Sequence, residues 1–146
     1  MEDDIYQEHI MDHYQHPRQK YIQKNPTYSK TQLNPLCGDE LTIQITAKTN
    51  KNIEDISFQG HGCAISQASA SILTEFLHKK PITQLKKLSD QNMIDMLHIP
   101  ISHTRTKCAL LALKTAQAAI ANTKIAKSSS IKIQKKKTTT KNKTKA

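Results

Sequence analysis

LTIQITAKTNKNIEDISFQGHGCAIS, residues 41–66, contains the change of hydrophobic period that decides the fold. Apolar Leu41, Ile43 and Ile45 alternate with polar residues, and a second run with Ile53, Ile56 and Phe58 follows the turn-forming TNKN. An apolar residue at every second position is typical of a strand with one buried face. Two such strands joined by a short turn predict an antiparallel hairpin.

After GHG the period changes to that of a helix. Apolar and small residues now share one helical face as far as His78, namely Ile65, Ala68, Ser69, Ile72 and Phe76. Spacings of three and four residues bring side chains together on one side of a helix. Small Ala and Ser residues on this face allow it to pack closely against a neighbour.

The segments before and after residues 41–66 predict one more strand and further helices. Acidic residues open a helix that Pro17 ends, with a predicted buried stripe at Tyr6, Ile10 and Tyr14, flanked by Ile5 and Met11. A short strand that breaks at Asn34 and Pro35 is predicted for YSKTQLNPL. One or two short helices are predicted for PITQLKKLSDQNMIDML, and a last helix is predicted to begin near Cys108. A helix, three strands and then helices predict an α+β domain, a three-stranded antiparallel sheet with helices packed on one face.

The positive charge is concentrated at the C-terminal end. Of 22 Lys and Arg residues, nine lie after Asn122, where there is no acid, which leaves 13 bases and 12 acids before it. We therefore expect a folded domain over residues 1–125 and a disordered Lys-rich tail over 126–146. A terminal basic run is typical of a flexible appendage, so nucleic acid is not the expected partner, although a zinc-stabilised RNA-associated protein stays an alternative.

Membrane insertion is not expected either. The chain has no run of about 18 apolar residues, and its first turn is acidic. These two features predict no membrane span, no secretory signal and a cytoplasmic location.

The three cysteines each lie at a boundary between elements. Cys37 precedes a strand, Cys63 lies at the strand-to-helix junction, and Cys108 lies at the start of the last helix. A helix N-terminus favours the thiolate, so a lowered pKa is expected at Cys63 and Cys108. Cysteine is also a small apolar residue that is often buried without chemistry, and Asp39 after a glycine is common in turns. Periodicity alone leaves both interpretations open.

Four segments carry a resemblance to a known family. IYQEHIMDHYQHPRQK (5–20), NPLCGDELTIQI (34–45), ISFQGHGCAISQASASILTEFL (56–77) and RTKCALLALKTAQAAI (105–120) resemble the IscU/SufU family of iron-sulfur cluster assembly proteins, which includes the N-terminal domain of NifU. The resemblance runs in order from about Asp4 to Ala121. It implies a SufE/NifU-like α+β fold with a metal site at one end, formed by Cys37, Asp39, Cys63 and Cys108.

The resemblance also implies a function. It predicts a protein that accepts persulfide sulfur from a cysteine desulfurase, supports cluster assembly and transfer to apo iron-sulfur proteins, and uses a zinc ion and a transient iron-sulfur cluster. Cys37 is the candidate sulfur acceptor and Cys108 the alternative, while Arg105 and Lys107 are candidates to stabilise a thiolate or persulfide. The alternative within the family is a zinc-dependent sulfurtransferase that only relays sulfur, so whether the protein is a scaffold or an enzyme stays open.

The ligand segments and the spacing favour different branches of the family. The ligand segments are SufU-like, yet only 44 residues separate Cys63 from Cys108, so the usual SufU insertion is missing. Lys107 replaces the histidine of the scaffold branch, and the absence of its proline-valine-lysine motif argues against an Hsp70-type chaperone partner. Two further histidines, His61 and His103, are weaker ligand candidates, and a purely structural zinc domain is a further alternative.

Overall fold

The computed structural model describes residues 2–35, 37–48 and 51–121, with side chains from residue 7 onward. Within these residues the order is the predicted one: α1 (Glu2–Gln15), β1 (Tyr28–Asn34), β2 (Asp39–Lys48), β3 (Asn52–His61), α2 (Ala64–Leu77), α3 (Ile82–Lys87), α4 (Asp90–Leu97), a 3₁₀ turn (His103–Arg105) and α5 (Thr106–Ala121). The tail predicted over 126–146 lies outside the described residues.

The three strands form one antiparallel sheet in the order β1-β2-β3. Along β2 every second side chain is buried, so the alternation seen in the sequence corresponds to the two faces of the sheet. The register shifts between Thr46 and Ala47, close to the turn that joins β2 to β3. The predicted hairpin is therefore confirmed, and β1 extends it to three strands.

Helices α2 and α5 cover the buried face of the sheet. Phe58 of β3, Leu73 of α2 and Leu113 of α5 are fully buried in the resulting core. Helix α2 also buries small polar residues, among them Ser69 and Ser71, because α1 packs along its other side. The predicted α+β architecture is thus the observed one.

The predicted buried stripe of α1 is wrong in part. Ile10 is buried, but Tyr14 and Met11 are each 41% exposed, and His13 is buried in their place. The buried face passes through Ile10 and His13 because α1 contacts α2, where Ser71 offers a hydroxyl 2.7 Å from His13 Nδ1. The side chains of Ile5 and Tyr6 lie outside the described part of the chain.

The helices after α2 begin close to the predicted positions. Ser89 caps α4, accepting a hydrogen bond from the backbone N–H of Asn92, whose side chain accepts one from Ser89 N. Helix α5 begins at Thr106, two residues before Cys108. Of the helices described, none has both the length and the apolar character needed to cross a membrane.

Candidate metal centre

The ends of three strands and the starts of two helices meet at one end of the sheet. The antiparallel register pairs Asn34, the last residue of β1, with Asp39, the first residue of β2, and pairs Glu40 with His61 at the end of β3. Cys37 lies in the turn between β1 and β2, Cys63 is the N-cap residue of α2, and Cys108 is in the first turn of α5. The sheet and the two helices that cover it therefore bring together residues that are far apart in sequence.

Two of the three thiols and one carboxylate form a compact group. The ligand atoms of Cys37, Asp39 and Cys108 all lie within 4.8 Å of one another, and Cys108 Sγ lies 3.1 Å from Cys37 Sγ. Cys63 is not one of these three residues, but its side chain is near enough to Cys108 to raise the pKa of that thiol. Asp39 and Cys108 are buried, Cys63 is partly exposed and Cys37 is exposed, so the group opens to solvent through Cys37.

Asp39 connects the group to α2. Its Oδ1 accepts a 2.8 Å hydrogen bond from the backbone N–H of Cys63, which satisfies a donor at the start of that helix. Glycine is needed at residue 62 because a Cβ there would collide with the Asp39 carboxylate and lie 2.7 Å from Ser66 Oγ. Asp39 is 1% exposed, so its remaining oxygen can interact only with groups inside the site.

The surroundings of Cys108 favour the protonated thiol. Burial raises the pKa of Cys108, and the neighbouring Cys37, Asp39 and Cys63 side chains raise it further. The lowered pKa predicted for Cys108 from its helix N-terminus is therefore wrong for the metal-free chain, because burial outweighs the helix dipole. A metal ion that binds here has to displace this proton.

Among the described residues, the side chains of the other predicted site residues form no hydrogen bond or ion pair with the thiols or Asp39. Arg105 and Lys107 are exposed, and in the described part of the chain neither side chain bonds to a cysteine or to Asp39. His61 is exposed with its Nε2 3.6 Å from Glu40 Oε1, and His103 is exposed in the 3₁₀ turn. The roles of Arg105 and Lys107 stay predictions.

Asn34 is a site residue that the sequence pattern did not single out as functional. Its side-chain Nδ2 lies 3.5 Å from Asp39 Oδ2 and 3.7 Å from Cys108 Sγ, and the residue is 5% exposed. In the sequence it marks only the end of a strand before Pro35. Its position three residues before Cys37 was the available signal, but a polar residue before a proline is common in turns.

The donor set suits soft or borderline metals. Thiolate sulfur with one carboxylate oxygen is a known combination for zinc, and thiolates are the ligands that hold iron-sulfur clusters. The proximity of Cys37, Asp39 and Cys108, with Cys63 beside them, is compatible with one shared ion or cluster edge.

Comparisons with known proteins agree with this geometry. The family of NifU-like N-terminal domains matches residues 5–129. The iron-sulfur cluster assembly scaffold protein IscU of Buchnera aphidicola is 31% identical over 127 residues, which cover 82% of this chain and 94% of that protein. The zinc-dependent sulfurtransferase SufU of Bacillus subtilis is 41% identical over 88 residues, 60% of this chain and 58% of that protein.

Solved structures share the fold. A candidate iron-sulfur cluster assembly scaffold protein for the SUF system, from Fervidobacterium islandicum, superposes with a TM-score of 0.67 at 28% identity, covering 80% of this chain and 97% of that one. A NifU-like N-terminal domain from Brucella abortus gives a TM-score of 0.68 at 19% identity, covering 84% of this chain and 96% of that one, and this likeness concerns the fold alone.

Proposed function

This chain belongs to the family of NifU-like N-terminal domains, and on that basis we propose that it is an iron-sulfur cluster assembly protein that accepts sulfur at its Cys3Asp site. Family membership confirms the resemblance found in the four sequence segments. The observation that carries the proposal is the convergence of Cys37, Asp39 and Cys108 within 4.8 Å. Cys63, at the start of α2, donates its backbone N–H to Asp39 and would be the fourth ligand. A cluster under assembly is the cargo of such a site, and its irons need several thiolates at once.

Cys37 is the proposed sulfur acceptor. It is the exposed thiol of the group, so a persulfide carried by a cysteine desulfurase can reach it, whereas Cys108 is buried. The Cys37 thiolate attacks the outer sulfur of that persulfide, and the sulfur-sulfur bond breaks. The desulfurase cysteine then leaves as a thiolate, and the outer sulfur stays on Cys37 as a new persulfide. Cys108 is the alternative acceptor.

Zinc fits the same residues. Cys37, Asp39, Cys63 and Cys108 would hold it, since three thiolates and one carboxylate complete a tetrahedral shell. When bound, zinc has no redox chemistry and would keep the thiols deprotonated and in place. Asp39 would contribute one carboxylate oxygen, while its Oδ1 also accepts the Cys63 N–H.

A zinc-dependent sulfurtransferase that only relays sulfur is the second candidate. It is favoured by the 41% identity with the Bacillus subtilis protein of that name. The scaffold is favoured by the alignment with the Buchnera aphidicola protein, which extends over 94% of that relative's length. The two functions differ in whether iron and sulfide remain on the protein.

The partners follow from the chemistry. A cysteine desulfurase supplies the sulfur, and apo iron-sulfur proteins receive the product. We propose a reducing compartment such as the cytoplasm, because the site requires the three cysteines to stay free thiols. An Hsp70-type chaperone is not part of the proposal, since the sequence lacks the proline-valine-lysine motif.

The test starts from anaerobically purified protein, whose zinc, iron and sulfide contents are measured. The protein is then mixed with a cysteine desulfurase and cysteine, and mass spectrometry identifies the cysteine that gains a sulfur atom. We expect sulfur on Cys37 and its loss in Cys37→Ala, whereas Ser29→Ala, a small change on the exposed side of β1, behaves as wild type.

The outcomes separate the two functions. A labile iron-sulfide chromophore that passes to an apo-ferredoxin supports the scaffold, and retained zinc with increased desulfurase turnover supports the relay. A wild-type chain that binds neither zinc nor iron and gains no sulfur would refute the proposal.

A further inference from the structure

We propose that Asn34 is a positioning residue of the metal site, whose side-chain amide holds Asp39 and Cys108 in the arrangement that receives an ion. The inference rests on the proposed function, because it concerns the same Cys3Asp site. It goes beyond that function by assigning a role to a residue outside the ligand set.

The amide of Asn34 lies between two ligands. Nδ2 carries two hydrogens, and its two side-chain acceptors in the described part of the chain are Asp39 Oδ2 at 3.5 Å and Cys108 Sγ at 3.7 Å. Because Asn34 is 5% exposed, water competes little for these hydrogens. A donor fixed between two ligand atoms sets the direction in which both of them point.

Both contacts are long, at 3.5 and 3.7 Å, so the two hydrogen bonds are weak in the metal-free chain. A hydrogen bond to an ionised acceptor is shorter and roughly twice as strong as one to a neutral acceptor. If Asp39 and Cys108 held an ion, both acceptors would be ionised, so Asn34 would stabilise the arrangement in which these two residues act as ligands.

Asn34 makes different contacts with the individual cysteines. The carbonyl of Asn34 accepts a 3.1 Å hydrogen bond from the backbone N–H of Cys37, which fixes the turn, but the Asn34 amide does not contact the Cys37 sulfur. The Asn34 side chain therefore positions Asp39 and Cys108, whereas it holds Cys37, the exposed thiol, only through the backbone. This division suits a site in which one thiol must both bind and react.

A merely structural role for Asn34 predicts a different result. Asn34 is the last paired residue of β1, and a polar side chain at a strand end can serve only to close the turn. Its replacement would then lower the stability of the metal-free chain and leave the intrinsic affinity for metal unchanged.

The experiment compares wild type with Asn34→Leu, which keeps the side-chain size and removes the donor. Zn²⁺ affinity is measured by competition with a chromophoric chelator, the thiolate-to-metal band is recorded with Co²⁺, and thermal unfolding is recorded with excess chelator. The matched control is Asn52→Leu, at an exposed position at the start of β3, opposite the site. We expect a loss of Zn²⁺ affinity of about 10- to 100-fold and a shifted Co²⁺ band in Asn34→Leu alone.

If wild type binds Zn²⁺ and Asn34→Leu has the same Zn²⁺ affinity and the same Co²⁺ spectrum, the proposed role of Asn34 is wrong. The proposed function is not affected by that result. Failure of the wild-type chain to bind Zn²⁺ or Co²⁺ would overturn both. If Asn34→Leu does not fold, Asn34→Ser serves instead, since its hydroxyl is too short to reach both acceptors, and the same affinity loss is expected.

Discussion

Protonation of His13 should loosen the attachment of α1 to α2. His13 is 4% exposed, its Nδ1 lies 2.7 Å from Ser71 Oγ, and the same hydroxyl accepts a 2.8 Å hydrogen bond from the backbone N–H of Arg18. Burial lowers the pKa of His13, and the charges of Arg18 and His9 lower it further, against opposing effects of Glu75 and Asp12. The folded chain therefore keeps this imidazole neutral at a pH where the unfolded chain protonates it.

The magnitude follows from proton linkage. In the window between the lowered folded pKa and the ordinary value of 6.5, the unfolded state binds more protons, so the free energy of unfolding falls as the pH falls. One histidine contributes at most about 1.4 kcal/mol per pH unit in that window. Above it, His13→Gln should cost about 1–2 kcal/mol, because the buried hydrogen bond with Ser71 is lost.

Urea unfolding at pH 7.5, 6.5 and 5.5, with chelator present, measures this effect. We expect the stability gap between wild type and His13→Gln to narrow as the pH falls, since the variant lacks the penalty for protonation. His16→Gln is the matched control, because His16 follows one turn later and is exposed. A gap that stays constant over this range would refute the reasoning, and so would the same narrowing in the control.

Three further substitutions test the metal site, the hydrophobic core and the cap of α4. Gly62→Ala should lower Zn²⁺ affinity by about 10-fold or more, measured by chelator competition, because the new methyl group displaces Asp39. Leu113→Ala should lower the free energy of unfolding by about 2–5 kcal/mol, whereas Leu33→Ala, at a position 64% exposed, should change it by under about 0.5 kcal/mol. Ser89→Ala should cost about 1 kcal/mol in the same urea experiment, because α4 loses its cap, and an unchanged midpoint would contradict the capping role.

Most of the fold was predictable because its signals are local. The alternation along β2 and the change of period after Gly62 depend on side chains within a few residues of one another. The first helix shows the limit of this approach. Tyr14 and Met11 fit an apolar stripe, yet His13 is the buried residue, because the partner helix offers a hydroxyl rather than an apolar surface.

The sequence supplied the candidate ligands of the site but not their arrangement. The sequence by itself determined the three thiols, the aspartate beside them and the order of helices and strands, since each is a matter of residue type and local spacing. Only the tertiary structure decided that Cys108 is buried and its pKa raised, that Cys37 faces solvent, and that Asn34 lies between two candidate ligands. These properties depend on contacts between residues as far apart as Asn34 and Cys108, and packing of distant segments determines both the exclusion of water and the proton affinity of a thiol.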